Sequence, residues 1–138
     1  MRATKRFRIR VDPTLQAWPE AGVYQLRIRL SADARIWVGR LGLFHFPQGL
    51  YVYTGRASRG LGSRVMRYIL PSGTLQWHID YLLACKHSWL ESLLLASRDP
   101  NKECAVNQRT GRSGRCVVPG FGASDCRQGC GGHLWYLP

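Results

Sequence analysis

Two tyrosines, an arginine and a glutamate carry the chemistry that this chain offers. Tyr24 closes the triplet Gly22-Val23-Tyr24, Tyr53 opens Tyr53-Thr54-Gly55, Arg64 lies in the stretch from Leu61 to Tyr68, and Glu103 follows further on. Cutting a phosphodiester needs a group to orient or deprotonate water, positive charge over the nonbridging oxygens, and help for the leaving oxygen. Tyr24 or Tyr53 would handle the water. A free phenol with a pKa of about 10 is a poor base at neutral pH, so it needs neighbouring positive charge. Arg64 supplies that charge, and Arg56, directly after Gly55, is within reach. Glu103 is the expected single-carboxylate ligand for Mg²⁺ or Mn²⁺, ions that keep several of their waters. Each residue also has a plainer role. Strand tyrosines pack, a helix arginine can be solvated, and a carboxylate in a first helical turn favours the helix dipole without a metal.

The elements that must hold these groups are legible from periodicity. Residues 1 to 17 form a basic extension with five cationic side chains against Asp12, and a short edge strand is expected from Phe7 to Val11. Residues 18 to 138 then form one domain. Tyr24, Leu26, Ile28 and Leu30 alternate with Gln25, Arg27 and Arg29, which reads as a strand with one buried face. A second strand is expected over Ile36 to Leu41, a connector over Gly42 to Gly49, and a third strand over Leu50 to Thr54. The residues from Arg56 to Gly60 read as a small basic loop. Beyond them Leu61, Val65 and Ile69 mark the apolar stripe of a helix on which Arg64 and Tyr68, four apart, share a side. Pro71-Ser72-Gly73 ends it, and Thr74 is placed as N-cap of a second helix reaching about Lys86. Ser88 to Leu95 fits a buried strand or more helix. Asp99-Pro100 opens the short helix that bears Glu103, and His133 to Pro138 returns as a final strand.

Composition narrows the partner. The chain has 138 residues, 45% of them apolar, which suffices for one core. Twenty basic residues against eight acidic give a net charge of +12, and seventeen of the twenty are arginine, whose planar fork matches phosphate oxygens in pairs. Such a surface attracts nucleic acid. No 18-residue apolar run and no leader-like stretch is visible, so no membrane is expected, and a cytoplasmic location with reduced thiols follows from that reading.

In order and spacing the residues resemble the GIY-YIG nuclease superfamily: the triplet at Gly22, the triplet at Tyr53, a basic residue after Gly55, an arginine eleven residues past Tyr53, and a helix-borne glutamate. More closely, the chain resembles the related family called domain of unknown function 123 (DUF123). That likeness runs through Gly39-Arg40-Leu41-Gly42, Phe46-Pro47-Gln48-Gly49, Tyr51 to Gly55, Trp77 to Leu83, Glu103-Cys104, Gly120 to Cys126 and His133 to Tyr136. The resemblance implies an α+β fold, a small antiparallel sheet flanked by helices, with an extra hairpin inserted in the 28 residues between the two motifs. It implies a metal-dependent DNA endonuclease, in repair or processing, with Tyr24, Tyr53, Arg64 and Glu103 around one phosphate and Glu103 on the metal. Arg40, Arg56, Arg59, Arg67 and Tyr68 would contact nucleic acid. His78, Ser124 and Asp125 stand as supporting residues, the last two in place of an asparagine that such nucleases carry after the glutamate, since Asn107 lies too near Glu103. A separate protein for targeting is expected. The alternative is a binding module that keeps the basic groove without cutting, and a weaker one is a purely structural role for the tyrosines.

Two further signals are ambiguous on residue type alone. His78 and Asp80 lie about 200° apart around a helix and cannot easily form one dyad, so a half-buried, satisfied histidine is the expectation. Cys126-x3-Cys130-x2-His133, with Cys104 or Cys116 as a fourth ligand, has the residue types of a zinc site. Its two gaps share one short segment, unlike paired zinc knuckles, so structural zinc is not expected and the thiols are read as buried or free.

Overall fold

A computed structural model describes residues 10–11, 18–70, 73–123 and 126–138. Central in the main sheet is β2 (Gly22–Leu30), whose alternate residues Tyr24, Leu26, Ile28 and Leu30 are at most 1% exposed. Its antiparallel neighbours are β5 (Gly49–Ala57) and β6 (Ser88–Ser97), so the ambiguous stretch after Ser88 is a strand. At one edge β7 (Leu134–Leu137) pairs with β5, and at the other the two residues of β1 (Arg10–Val11) pair in parallel with β6. Phe7, Arg8 and Ile9 of the expected edge strand, and Pro71 and Ser72 of the expected turn, lie outside the described residues.

Between β2 and β5 the chain leaves the sheet and makes the expected inserted hairpin, β3 (Ala34–Trp37) with β4 (Leu43–Phe46). The second expected strand stops early because Gly39 takes φ +50° and opens a 3-10 turn over Gly39–Leu41. The expected connector is itself a strand, with Phe46 buried and His45 exposed. Ile36, Val38 and Phe46 of this insertion join the same core as β2.

Three helices flank the sheet. The first, α1 (Leu61–Ile69), buries Leu61, Val65 and Tyr68, and its N-terminus is held by Glu20, whose carboxylate accepts from Gly60 N at 2.6 Å. The second, α2 (His78–Ala84), starts later than the expected Thr74 cap, because Asp80 Oδ2 accepts from Gln76 N and Trp77 N, both at 2.8 Å, and so closes the first turn from within. Both pack on the face of the sheet that carries Tyr24. On the other face lies α3 (Glu103–Gly111), tied down by Gln25 Nε2 donating to Thr110 Oγ1 and by Asn107. Asn107 is fully buried, donating to Gly132 O at 2.8 Å and accepting from Trp135 Nε1 at 2.9 Å. The helix follows a 3-10 turn that Asp99 caps by accepting from Asn101 N, as the Asp-Pro pair suggested. Among the described residues no helix is long and apolar enough to cross a membrane.

Candidate active site

Strand register brings the two motifs together. Tyr24 lies opposite Gly55 and Leu26 opposite Tyr53, so the two tyrosines are diagonal neighbours on one face, with ring centroids 6.3 Å apart. This register explains the glycine of the second motif. A Cβ on Gly55 would sit on the Tyr24 phenol, so only glycine lets that ring lie flat across β5. Tyr68 reaches in from α1 and shares a 2.6 Å hydrogen bond with the Tyr24 hydroxyl.

Tyr24, Tyr53 and Tyr68 line a pocket of about 410 Å³ together with Arg56, Arg59, Arg64, His78 and Glu103. All four residues singled out for phosphodiester chemistry therefore meet in one place. Arg64 Nη1 donates to Arg56 O at 2.9 Å, and its guanidinium lies 4.8 Å from the Trp77 ring centre, so the side chain is braced beside the phenols. Arg56 belongs to the end of β5 rather than to the expected loop, and its Nε stands 3.8 Å from Glu103 Oε1. Arg59 is exposed on the loop before α1. Three guanidiniums against one carboxylate leave the lining of the pocket positive.

Burial works against ionisation of the phenols. Burial pushes the pKa of Tyr24 up, and the lowering effects of the Tyr68 hydrogen bond and of Arg64 are smaller. Burial likewise raises Tyr53 well above the ordinary phenol value and raises Tyr68. At neutral pH all three are O–H groups that can orient a water or donate to a phosphate oxygen. Desolvation outweighs the neighbouring arginine, which favours orientation of a water over its deprotonation, the two roles open to these tyrosines.

His78 lines the pocket at the start of α2, and its Nδ1 accepts from Gly122 N at 2.8 Å. Partial burial lowers its pKa, so the neutral ring keeps its proton on Nε2. Gly122 sits at φ +66°, and a Cβ there would come within 2.8 Å of the Tyr53 ring, so this glycine seats both the tyrosine and the histidine. Arg67 is placed differently from Arg64. It forms a 2.7 Å ion pair with the largely buried Asp80, lies 4.4 Å from the Trp77 ring centre and is not part of the pocket lining. Arg40 is exposed on the 3-10 turn of the insertion, also outside the lining. Ser124 and Asp125 lie outside the described residues.

The metal expectation is overturned by a cluster that sequence reasoning set aside. Cys104, Cys126, Cys130 and His133 bring four ligand atoms to within 4.8 Å of one another, a Cys3His set of the kind that holds a soft or borderline cation. Among the described residues Glu103 is the one carboxylate of the pocket, and its oxygens face Arg56 and His133 at 3.8 Å each. A lone carboxylate so flanked does not make a protein-built site for Mg²⁺ or Mn²⁺, which take all-oxygen ligands. The residue types of the thiol cluster were named from the sequence, with the fourth ligand left open between Cys116 and Cys104. Helix α3 projects it toward the Cys126 segment, a proximity that ligand spacing along the chain does not encode.

The family described as "Domain of unknown function DUF123" matches residues 23–138. No curated protein and no solved structure matches the chain.

Proposed function

The chain belongs to the DUF123 family, and within it we propose that the pocket of Tyr24, Tyr53, Arg64 and Glu103 binds a backbone phosphate of DNA and hydrolyses the phosphodiester, as a nuclease of the GIY-YIG type. The observation that carries this reading is the convergence of those four side chains on one positive pocket. Each then has a task. Arg64 and Arg56 offset the charge of the nonbridging oxygens, which grows as the phosphorus becomes five-coordinate. The neutral hydroxyl of Tyr24, already hydrogen-bonded to Tyr68, orients the attacking water, and Tyr53 packs beside it. Glu103, the one carboxylate of the lining among the described residues, takes the water's proton. The imidazole of His78 offers an N–H toward an oxygen of the substrate.

A second reading has an observation of its own. With the phenols neutral and Glu103 facing Arg56 and His133, the same pocket would bind a phosphate and leave it intact. One experiment separates the two. Supercoiled and branched DNA are incubated with the wild-type chain, in buffers with and without divalent cations, and with Arg64→Ala, Tyr24→Phe and Glu103→Gln. The nuclease reading expects nicking that falls about 100-fold or more in Arg64→Ala and is lost in Glu103→Gln, while DNA binding survives in Glu103→Gln. Binding without cleavage across all substrates and cations sinks it in favour of the binding module.

A further inference from the structure

We propose that Cys104, Cys126, Cys130 and His133 bind one Zn²⁺, and that this ion clamps the start of α3 to the segment leading into β7. The site borders the pocket, yet the proposal does not rest on phosphodiester chemistry and would hold whether or not the pocket cuts DNA.

The donor types and their closeness suit a single four-coordinate ion. Four ligand atoms lie within 4.8 Å of one another, close enough for one ion to draw on all of them. Cys104 Sγ and Cys126 Sγ are 3.6 Å apart. That is far beyond the roughly 2.05 Å of a disulfide and close to the edge of about 3.8 Å that two Zn–S bonds of about 2.3 Å subtend at the tetrahedral angle. All five cysteines of the chain are free thiols.

His133 supplies an independent sign. Its side chain is 1% exposed, yet Nε2 has no hydrogen-bond partner. The other nitrogen, Nδ1, lies 3.3 Å from Thr54 O and 3.8 Å from Glu103 Oε2. Two acceptors around Nδ1 place the ring proton there and leave Nε2 a bare lone pair. A buried nitrogen lone pair set among three thiols is what a zinc-ligating imidazole presents, and a carbonyl or carboxylate behind the opposite nitrogen is the usual way such a ring is oriented. Gln108 Nε2 approaches Cys130 Sγ at 3.6 Å in the same supporting manner.

The backbone is already set for this arrangement. His133 is pinned on both sides, its N–H donating to Phe121 O at 2.7 Å and its C=O accepting from Thr54 N at 3.0 Å. Gly129 and Gly131, at φ +68° and +77°, turn the chain between Cys126 and His133 so that both thiols of the segment face the ring and Cys104. Three thiolates and one imidazole, with no place left for water, fit structural zinc rather than a hard cation or a catalytic site with an open position. On binding, the three thiols release their protons and the imidazole stays neutral.

The clamp has a consequence for the pocket. Cys104 is the neighbour of Glu103, and Cys126 itself forms part of the pocket lining. The ion would therefore fix the wall that presents Glu103.

The test is metal content. Wild-type chain purified under reducing conditions without chelator is analysed by inductively coupled plasma mass spectrometry, then stripped and reloaded with Co²⁺. The expected results are one zinc per chain and, with Co²⁺, the intense visible bands of a tetrahedral thiolate site, abolished by adding Zn²⁺. Cys130→Ser should lose stoichiometric zinc, whereas the Cys85→Ser, Cys116→Ser double variant should keep it. The proposal is overturned if the folded, reduced wild-type chain carries no zinc and takes up none from Zn²⁺ solution, if the double variant loses the metal, or if native thiol mapping finds a Cys126–Cys130 disulfide instead.

Discussion

Replacing Gly55 with alanine adds a single methyl group at the point where the two motifs cross. Its Cβ would stand 2.5 Å from Tyr24 Cζ and 2.9 Å from Cε2, and closer still to the hydroxyl. Carbon atoms rest at about 3.5–4.0 Å, so the ring or the strand must move by about 1 Å. The ring has nowhere cheap to go, because Tyr24 is 1% exposed and its hydroxyl is held by Tyr68 at 2.6 Å. Overpacking of a close-packed core costs about 1–3 kcal/mol and a lost buried hydrogen bond about 0.5–1.5 kcal/mol, which together give about 2–4 kcal/mol. Urea denaturation should show an unchanged slope and a midpoint lowered by about 1–2 M. Gly60→Ala is the control. That residue has φ +64° but nothing within 4 Å of its Cβ, so only the left-handed backbone is penalised, by about 1–2 kcal/mol. Because the Tyr24 hydroxyl is the atom nearest the new methyl, Tyr24→Phe should relieve part of the clash, with a coupling of at least about 0.5 kcal/mol in the double-mutant cycle. A Gly55→Ala variant within about 0.5 kcal/mol of wild type would refute the packing account of the second motif.

Three further outcomes follow from the same structure. Asp80→Ala should destabilise by about 3–5 kcal/mol in the same assay, because it strands the Arg67 guanidinium, buried on one side, and uncaps α2. Tyr24, Tyr53 and Tyr68 all have folded-state pKa values raised above about 10, so the unfolded chain loses these protons first; their stabilisation is complete below about pH 10 and is lost as pH rises beyond it, and ultraviolet titration should show them ionising only with unfolding. Arg59→Ala should weaken DNA binding evenly across sequences and reduce the slope of log affinity against log salt by about 1, while an unchanged slope would place Arg59 off the backbone path.

How far the residues alone disclose this molecule depends on the range of the forces involved. Period-two alternation announced β2 because Tyr24 to Leu30 bury one face in the centre of a sheet. The insertion was legible from the 28-residue gap set against the family resemblance, but β4 was hidden by Gly42 and Gly49, whose turn character masked the alternation of Leu43 to Phe46. The start of α2 was misplaced because its cap is Asp80, a residue inside the helix, rather than a side chain ahead of it. Of the site, Tyr24, Tyr53, Arg64 and Glu103 were nameable because their order along the chain carries the pattern, and they line one pocket. Arg67 was expected to contact nucleic acid, yet three residues past Arg64 it is turned onto Asp80. The thiol cluster was visible as residue types but was set aside on its spacing, because Cys104 meets Cys126, Cys130 and His133 only once α3 lies across the sheet and Asn107 draws Gly132 against it. The protonation of the phenols was equally out of reach, since it follows from burial that no spacing reports.

The central claim is that one backbone phosphate sits among Tyr24, Arg64 and Glu103. A structure of the chain bound to an oligonucleotide with nonhydrolysable phosphorothioate linkages measures this directly. The account predicts a phosphate within hydrogen-bond distance, about 2.7–3.2 Å, of both the Arg64 guanidinium and the Tyr24 hydroxyl, with Glu103 on its far side. A complex in which the DNA backbone runs over another basic face and leaves that pocket without a phosphate would contradict it.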